Sequence, residues 1–204
     1  MEPSITQKVW RFNLSRTAAI SILLLNVLVI VGMSPGVRAA ETSALLVGIG
    51  ADASRIEIAV RLSMGSFRGV LEKYDARIQI DARDKFISTA ELDFDFADLK
   101  TGNKRRDKDM FKWMDYENHP TGSFRLEGLV AQGEQLEARG TVTIHGVSKP
   151  IVFPVTISFE GEHVTAEGSA KLNFLDFDLK PIRKMLFITV KPEVIIDFHL
   201  EGRY

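Results

Sequence analysis

From position 151 to position 159 the chain places a large apolar residue at every second position. The apolar set is Ile151, Phe153, Val155, Ile157 and Phe159. A period of two puts alternate side chains on one face of a β-strand, whereas an amphipathic helix has a period near 3.6. The same alternation recurs over 55–62, 76–80, 90–96, 142–144, 164–172 and 194–200. The sequence therefore predicts an all-β protein.

One segment breaks the alternation. Residues 104–113 can place Met110 and Trp113 on one side, with Met114 just beyond, and lysines and arginines on the other, which predicts a short amphipathic helix that ends before Pro120. Strands at the edge of an open sheet expose unpaired backbone groups, so a closed barrel or a two-sheet sandwich is favoured. Because the turns are short and no linker is evident, we predict one domain over residues 40–204. Its simplest form is a single antiparallel eight-stranded barrel with one short helix near one end.

The N-terminus has the organisation of a secretory signal. Lys8, Arg11 and Arg16 precede an apolar run over 18–31, and small residues follow up to Ala39. This order predicts a signal peptide over residues 1–39 and a location in the bacterial periplasm or outside the cell. The alternative is an uncleaved membrane anchor, for which the apolar run is short, since a spanning helix needs about 20 residues.

Composition excludes several kinds of site. The chain has 204 residues, a formal net charge of −1 and no cysteine. Without cysteine there are no disulfides, thiolate nucleophiles or zinc–thiolate sites. With a charge near zero there is no overall basic field to attract nucleic acid, and we expect no nucleic-acid partner.

No group of residues has the spacing of a catalytic or metal site. The four histidines, His119, His145, His163 and His199, are scattered and form no i, i+4 pair. No serine stands in a G-x-S-x-G turn. The carboxylates at 91, 93 and 95 alternate as a solvent-facing set would. We therefore predict neither catalytic nor metal-binding residues.

Two basic segments suggest a transient contact with a membrane. Residues 104–108 and 180–187 combine positive charge with apolar residues, and Lys104, Arg105, Lys180 and Arg183 are the candidate contacts to lipid phosphates. The alternative for the first segment is a solvated helix face that Asp107 and Asp109 partly neutralise.

Four motifs resemble those of the YceI-like polyisoprenoid-binding family. They are T-G-N-K-R-R-D at 101–107, W-M-D at 113–115, H-P-T-G-S-F at 119–124 and G-T-V-T-I-H-G-V-S-K-P at 140–150. The family patterns are T-G-N-x-x-R-D, F-F-D, Y-P-T-x-x-F and G-x-L-T-L-H-G-V-T-K-P. The order is the same, and the resemblance covers about residues 54–202. The chain departs from the pattern at 51–55, where the histidine of D-x-x-H-S is missing, and at His119, where the family has tyrosine or phenylalanine.

The resemblance implies a lipocalin-like barrel in the periplasm whose lumen holds a long isoprenoid or quinone-like lipid. No other cofactor is implied, and the expected partner is this hydrophobic ligand. Strand alternation gives the residues that would line the lumen, with the inward direction inferred. They are Ile58, Val60, Ile78, Leu92, Phe94, Phe124, Val142, Ile144, Phe153, Val155, Ile157, Ala170 and Phe198.

The function expected from this resemblance is non-catalytic binding, with sequestration or transport of the lipid. Periodicity alone does not separate an open lumen from a packed core. Two alternatives therefore remain at this point: a packed stress-response barrel without a ligand, and an enzyme acting on a small apolar substrate. The sequence does not determine the oligomeric state.

Overall fold

The structure is a computed structural model that describes residues 44–50, 52–81, 83–133, 135–184 and 188–204. All of them belong to one compact unit, Glu41–Tyr204. The predicted signal peptide at 1–39 lies outside the described residues, as do 185–187 of the second basic segment.

The described residues form twelve strands and one α-helix. The strands are β1 (Ala44–Ile49), β2 (Arg55–Leu62), β3 (Ser66–Leu71), β4 (Asp75–Asp81), β5 (Phe86–Asp95), β6 (Leu99–Lys100), β7 (Thr121–Gln132), β8 (Gln135–Ile144), β9 (Val147–Glu160), β10 (His163–Asn173), β11 (Arg183–Lys184) and β12 (Ile188–Arg203). The helix α1 spans Lys104–Trp113, and short 3-10 turns occupy Phe96–Asp98 and Phe174–Phe177. The predicted all-β class with one short helix is confirmed.

The strands pair antiparallel and curl into a barrel. From β1 the pairing runs through β4, β5, β7, β8, β9, β10 and β12, and β12 pairs back with β1. The strands β2, β3 and β6 continue the sheet from the edge of β12. Register is continuous from His163–Glu160 to Gly168–Val155 between β10 and β9, whereas it shifts between Leu126 and Gly128 in the pairing of β7 with β8.

The predicted count of eight strands is not matched, because twelve strands are present in the described part of the chain. The short strands β1, β3, β6 and β11, of two to six residues, lie outside the alternating segments of the sequence. A strand of this length offers little alternation from which it could be predicted.

Helix α1 lies between β6 and β7. It begins after Asn103, whose side-chain oxygen accepts hydrogen bonds from the backbone N–H groups of Arg105 and Arg106. This is the usual role of asparagine at a helix N-cap. No helix in the described residues is long and apolar enough to cross a membrane.

The core lies inside the barrel. Ile151, Phe153 and Val155 of β9 are buried, while Val152 between them is 54% exposed. No polar or charged side chain among the described residues is fully buried. The inward set is therefore apolar, as alternation predicts.

Candidate functional site

The barrel contains an apolar cavity of about 290 Å³. Its wall is built from residues of ten strands and from residues at one end of the barrel, and it presents no polar surface. A site of this kind can hold an apolar chain, because ligand pockets in proteins typically have volumes of about 300–1,000 Å³.

The structure brings all thirteen sequence-predicted lumen residues to this wall: Ile58, Val60, Ile78, Leu92, Phe94, Phe124, Val142, Ile144, Phe153, Val155, Ile157, Ala170 and Phe198. They come from β2, β4, β5, β7, β8, β9, β10 and β12. Their convergence follows from strand register, since directly paired residues share a face. That they contact a ligand stays a prediction.

Three phenylalanine rings lie against the wall of the cavity. The ring of Phe153 stands between those of Phe124 and Phe198, with centroid distances of 5.8 and 5.7 Å. These contacts hold the rings near the wall in tilted and edge-on arrangements, which aromatic pairs prefer.

One end of the cavity is covered by elements outside the barrel strands. Helix α1 contributes Met110 and Trp113, followed by Met114, and the 3-10 turn contributes Phe174 and Phe177. The Trp113 indole N–H donates to the backbone carbonyl of Lys180 at 2.7 Å, and its ring meets Phe174 edge-on at 5.1 Å.

Strand alternation in the sequence does not assign these end residues to the site. The shared face of Met110, Trp113 and Met114 was the available signal, but nothing in periodicity places a helix over a barrel end. The residues at 174, 177 and 179 gave no strand or helix pattern, although all three are buried in the structure.

A second pocket of about 590 Å³ adjoins the first. Both have Ile58, Val60, Met110, Trp113 and Phe174 in their walls. The second pocket differs because its wall also carries polar groups, from Thr101 and Asn103 and from charged residues of α1 and β11.

The four predicted membrane-contact residues are not equivalent. Arg105 and Arg183 both lie in the wall of the second pocket, and Lys104 and Lys180 do not. All four side chains are exposed. The structure thus places the two arginines together and leaves the two lysines outside the pocket.

Charged groups near the main cavity are paired on the outer surface. Glu91 contributes to the wall, but its carboxylate accepts from the Arg77 guanidinium at 3.0 Å. Asp93 pairs with Arg77 and Arg125 at 2.7 and 2.6 Å. Burial alone would raise the pKa of Asp93, but the hydrogen bonds and charges of Arg125 and Arg77 outweigh it, and this pKa lies below its ordinary value of 3.8.

The Tyr74 hydroxyl and a pair of histidine rings also lie near the core. The Tyr74 hydroxyl is buried without a hydrogen bond of ordinary geometry, and burial raises its pKa against a smaller opposing effect of Ser54. His119 and His145, which look unrelated in the sequence, have ring centroids 4.2 Å apart, and His145 Nδ1 lies 3.1 Å from the Phe177 carbonyl oxygen. Neither histidine lies in the wall of either pocket.

In the described part of the chain, no three histidine or acidic residues form a group that could hold a metal ion. His199 lies between Glu167 and Glu201, at 3.4 and 3.2 Å. His163 lies 3.0 Å from the Arg203 guanidinium.

Comparison with solved structures shows the same fold. Burkholderia cenocepacia BcnA matches with a TM-score of 0.66 at 21% identity, over 76% of this chain and 99% of that chain. A domain described as polyisoprenoid binding, from Saccharophagus degradans, matches with a TM-score of 0.58 at 14% identity, over 78% of this chain and 98% of that one.

Sequence comparison gives the family. A UPF0312 protein of Pseudomonas savastanoi pv. phaseolicola is 27% identical over 128 residues, which is 58% of this chain and 67% of the relative. A UPF0312 protein of Vibrio cholerae is 24% identical over 150 residues, which is 69% of this chain and 76% of the relative. The family model of the YceI-like domain matches residues 49–202. The resemblance in the motifs is thereby confirmed, and the chain belongs to the YceI-like domain family.

Proposed function

We propose that this protein binds a long-chain isoprenoid or quinone-like lipid inside the barrel and sequesters or transports it without catalysis. The observation that carries the proposal is a cavity inside the barrel whose wall presents no polar surface. The polyisoprenoid binding ascribed to the Saccharophagus degradans domain of the same fold supports this ligand class.

The energetics favour a chain over a compact ligand. Each methylene moved from water into the cavity contributes about 0.8 kcal/mol before ordering costs. Because the wall of the main cavity presents no donor or acceptor, we expect it to select ligands by the length and shape of their apolar chain. Catalysis would need a convergent acid and base, and the charged groups nearest the cavity are paired outside it.

Extraction tests this function directly. Protein purified from its native host is extracted with organic solvent and analysed by mass spectrometry. We expect a long-chain apolar lipid near one molecule per protein. If no lipid is extracted and none is bound on addition, the packed barrel is the better description. Turnover in a panel of small apolar substrates would favour an enzyme.

The periplasmic location is part of the proposal. It rests on the basic, apolar and small-residue order of residues 1–39. Intact mass of the exported protein checks it: we expect a chain beginning at Ala40, and a product that still begins at Met1 contradicts the signal peptide.

Delivery to a membrane is proposed through the exposed basic residues at the helix-covered end. The double variant Lys104→Gln/Lys180→Gln changes charge without changing either pocket wall. We expect weaker flotation with anionic liposomes than for the parent or for Arg83→Gln/Lys85→Gln, which removes two exposed basic residues in the turn between β4 and β5. Equal flotation of all three proteins would contradict this contact.

A further inference from the structure

We infer that the second pocket binds an anionic headgroup, so that the ligand is an amphiphile with a phosphate or carboxylate at one end of its apolar chain. This inference rests on the proposed lipid-binding function and names the chemical class of the lipid. It predicts that a neutral quinone or alcohol of equal chain length binds less well.

The position of the second pocket fits a headgroup. It shares Met110, Trp113 and Phe174 with the apolar cavity, so a chain in the cavity can continue into it. Its own wall is apolar on the side of Leu62 and Val190 and polar on the side of α1. An amphiphile can therefore place its chain in the cavity and its head beside the helix.

The charge of the polar side favours an anion. Three guanidinium groups, from Arg105, Arg106 and Arg183, and one carboxylate, from Asp109, lie in this wall. Asp109 is not free, since it has an interaction of its own. Three positive charges and one negative charge give this wall a net charge of +2, beside a largely apolar space.

Arg106 is held in place by its surroundings. Its Nε donates to the Thr101 hydroxyl at 2.8 Å and one terminal nitrogen donates to the Thr101 carbonyl at 2.7 Å. The guanidinium carbon lies 4.0 Å from the centroid of the Phe67 ring. Arg106 therefore contributes a fixed positive charge, with two of its five N–H donors bonded to Thr101.

Arg105 and Arg183 have no such partners. Within the described ranges neither guanidinium makes an ion pair or a side-chain hydrogen bond, although other surface arginines, such as Arg77, are paired. The planar donor arrangement of arginine matches the oxygens of phosphate and carboxylate. These two side chains therefore have all their N–H donors available to a ligand.

The test compares two ligands with one chain. Geranylgeranyl monophosphate and geranylgeraniol are titrated calorimetrically into the full chain, and inorganic phosphate is titrated alone. We expect the monophosphate to bind about tenfold or more tightly than the alcohol, as for hydrogen bonds to a charged group. We expect the preference to fall at high salt.

Variants assign the preference to the arginines. In Arg105→Gln/Arg183→Gln the affinity ratio of monophosphate to alcohol should fall towards one. In Lys108→Gln/Lys171→Gln, which removes two exposed charges outside both pockets, the ratio should stay as in the parent. Thermal unfolding of each variant, and binding of the alcohol, report whether the cavity is still formed.

The outcomes separate the two proposals. Equal affinity for the monophosphate and the alcohol, or an unchanged preference in the arginine variant, overturns the headgroup site and leaves lipid binding standing. Inorganic phosphate binding as tightly as the monophosphate also overturns it, because the site would then take a free anion. If neither chain-bearing ligand binds, the proposed function fails and the headgroup site fails with it.

Discussion

Three glycines create the space in which cavity phenylalanines lie. A Cβ atom at Gly122 would stand 2.4 Å from the Phe94 ring, one at Gly140 would stand 2.6 Å from the Phe124 ring, and one at Gly168 would stand 2.8 Å from the Phe198 ring. Each ring therefore covers the backbone of a neighbouring strand and does not project across the lumen. Small residues at these places help to keep the middle of the barrel open.

Gly122→Ala tests this account. The new methyl group meets the far end of the Phe94 ring, which must swing into the cavity. We expect a loss of stability of about 1–3 kcal/mol and a lower capacity for lipid. Gly128→Ala on the same strand is the control, because nothing lies within 4 Å of its added Cβ. Thermal unfolding and lipid titration of both variants check the prediction. Equal lipid capacity in the two variants would contradict it.

Asp93 gives a pH-dependent contribution to stability. Its pKa in the folded protein is below the ordinary value of 3.8, since hydrogen bonds from Arg125 and Arg77 outweigh the effect of burial. A depressed pKa means that the contribution is fully present above the unfolded-state pKa and is lost as the pH falls through the folded-state pKa.

Asp93→Asn should therefore lower the free energy of unfolding at pH 7, by at most about 1 kcal/mol for so exposed a group. The difference from the parent should shrink as the pH is lowered below 3.8. Urea denaturation over a pH series measures it. Asp176→Asn, an exposed residue of the 3-10 turn, is the comparison. A difference that grows on acidification would show that the account of Asp93 is wrong.

Residue patterns in the sequence were sufficient to place the inward side chains. Phe153 and Val155 could be found because β9 alternates without a break, so a single choice of face assigns every residue of the strand. Alternation does not show which glycine each ring faces, because a ring and its glycine belong to different strands. Their contact depends on the pairing register, which alternation does not supply.

At the scale of elements, helix α1 and the 3-10 turn Phe174–Phe177 cover the barrel end. The link between them is Trp113, which bonds the Lys180 carbonyl and packs against Phe174. Both pockets include Trp113 in their walls, so we expect a lipid that moves between them to contact this side chain.

Trp113→Phe retains a ring beside Phe174 and removes the donor to Lys180. We expect bound lipid to leave about 2–10 times faster, which corresponds to one hydrogen bond of about 0.5–1.5 kcal/mol. Phe111→Leu is the matched control, since Phe111 packs on Tyr116 and lies in neither pocket wall. Transfer of a fluorescent lipid to acceptor vesicles measures the rate. Identical rates in both variants would contradict a role for this link.

The helix was predictable to its ends, whereas the 3-10 turn Phe96–Asp98 was not. Asn103 precedes the basic run and caps the helix through its side chain, a local signal that the sequence carries by itself. The 3-10 turn Phe96–Asp98 depends on Asp95, whose carboxylate accepts from Ala97 N–H and from the Tyr116 hydroxyl. The hydrogen bond between Asp95 and Tyr116 joins residues 21 apart along the chain, and no local sequence pattern predicts it.

At the scale of the whole molecule, the open cavity is a departure from complete packing. Protein interiors are usually filled to the density of organic crystals. Here an apolar space of about 290 Å³ persists between strands whose outer faces are paired by charge. The class of ligand was predicted from the family motifs, because alternation alone cannot distinguish a filled barrel from an open one.

Ala170→Leu should reduce the space for a ligand. Ala170 is 5% exposed and faces the cavity, so a larger side chain occupies part of the lumen. We expect less lipid per protein, with a stability cost of about 1–3 kcal/mol if the side chain is crowded. Lys171→Leu adds the same residue on the outer face of the strand and should bind lipid as the parent does. Full lipid loading of a folded Ala170→Leu protein would place the ligand elsewhere.

The unequal closure of the barrel has a dynamic consequence. The strands β10 and β12 are joined in register from His163–Arg203 to Asn173–Glu193, whereas β1 meets β12 at Gly48–Arg203 and Ile49–Gly202 in the described residues. Local opening is expected first where the fewest residue pairs join two strands. In deuterium-exchange mass spectrometry, peptides from β1 should therefore take up label before those from β10. The pairing of β1 with β12 should be the first part of the barrel to open.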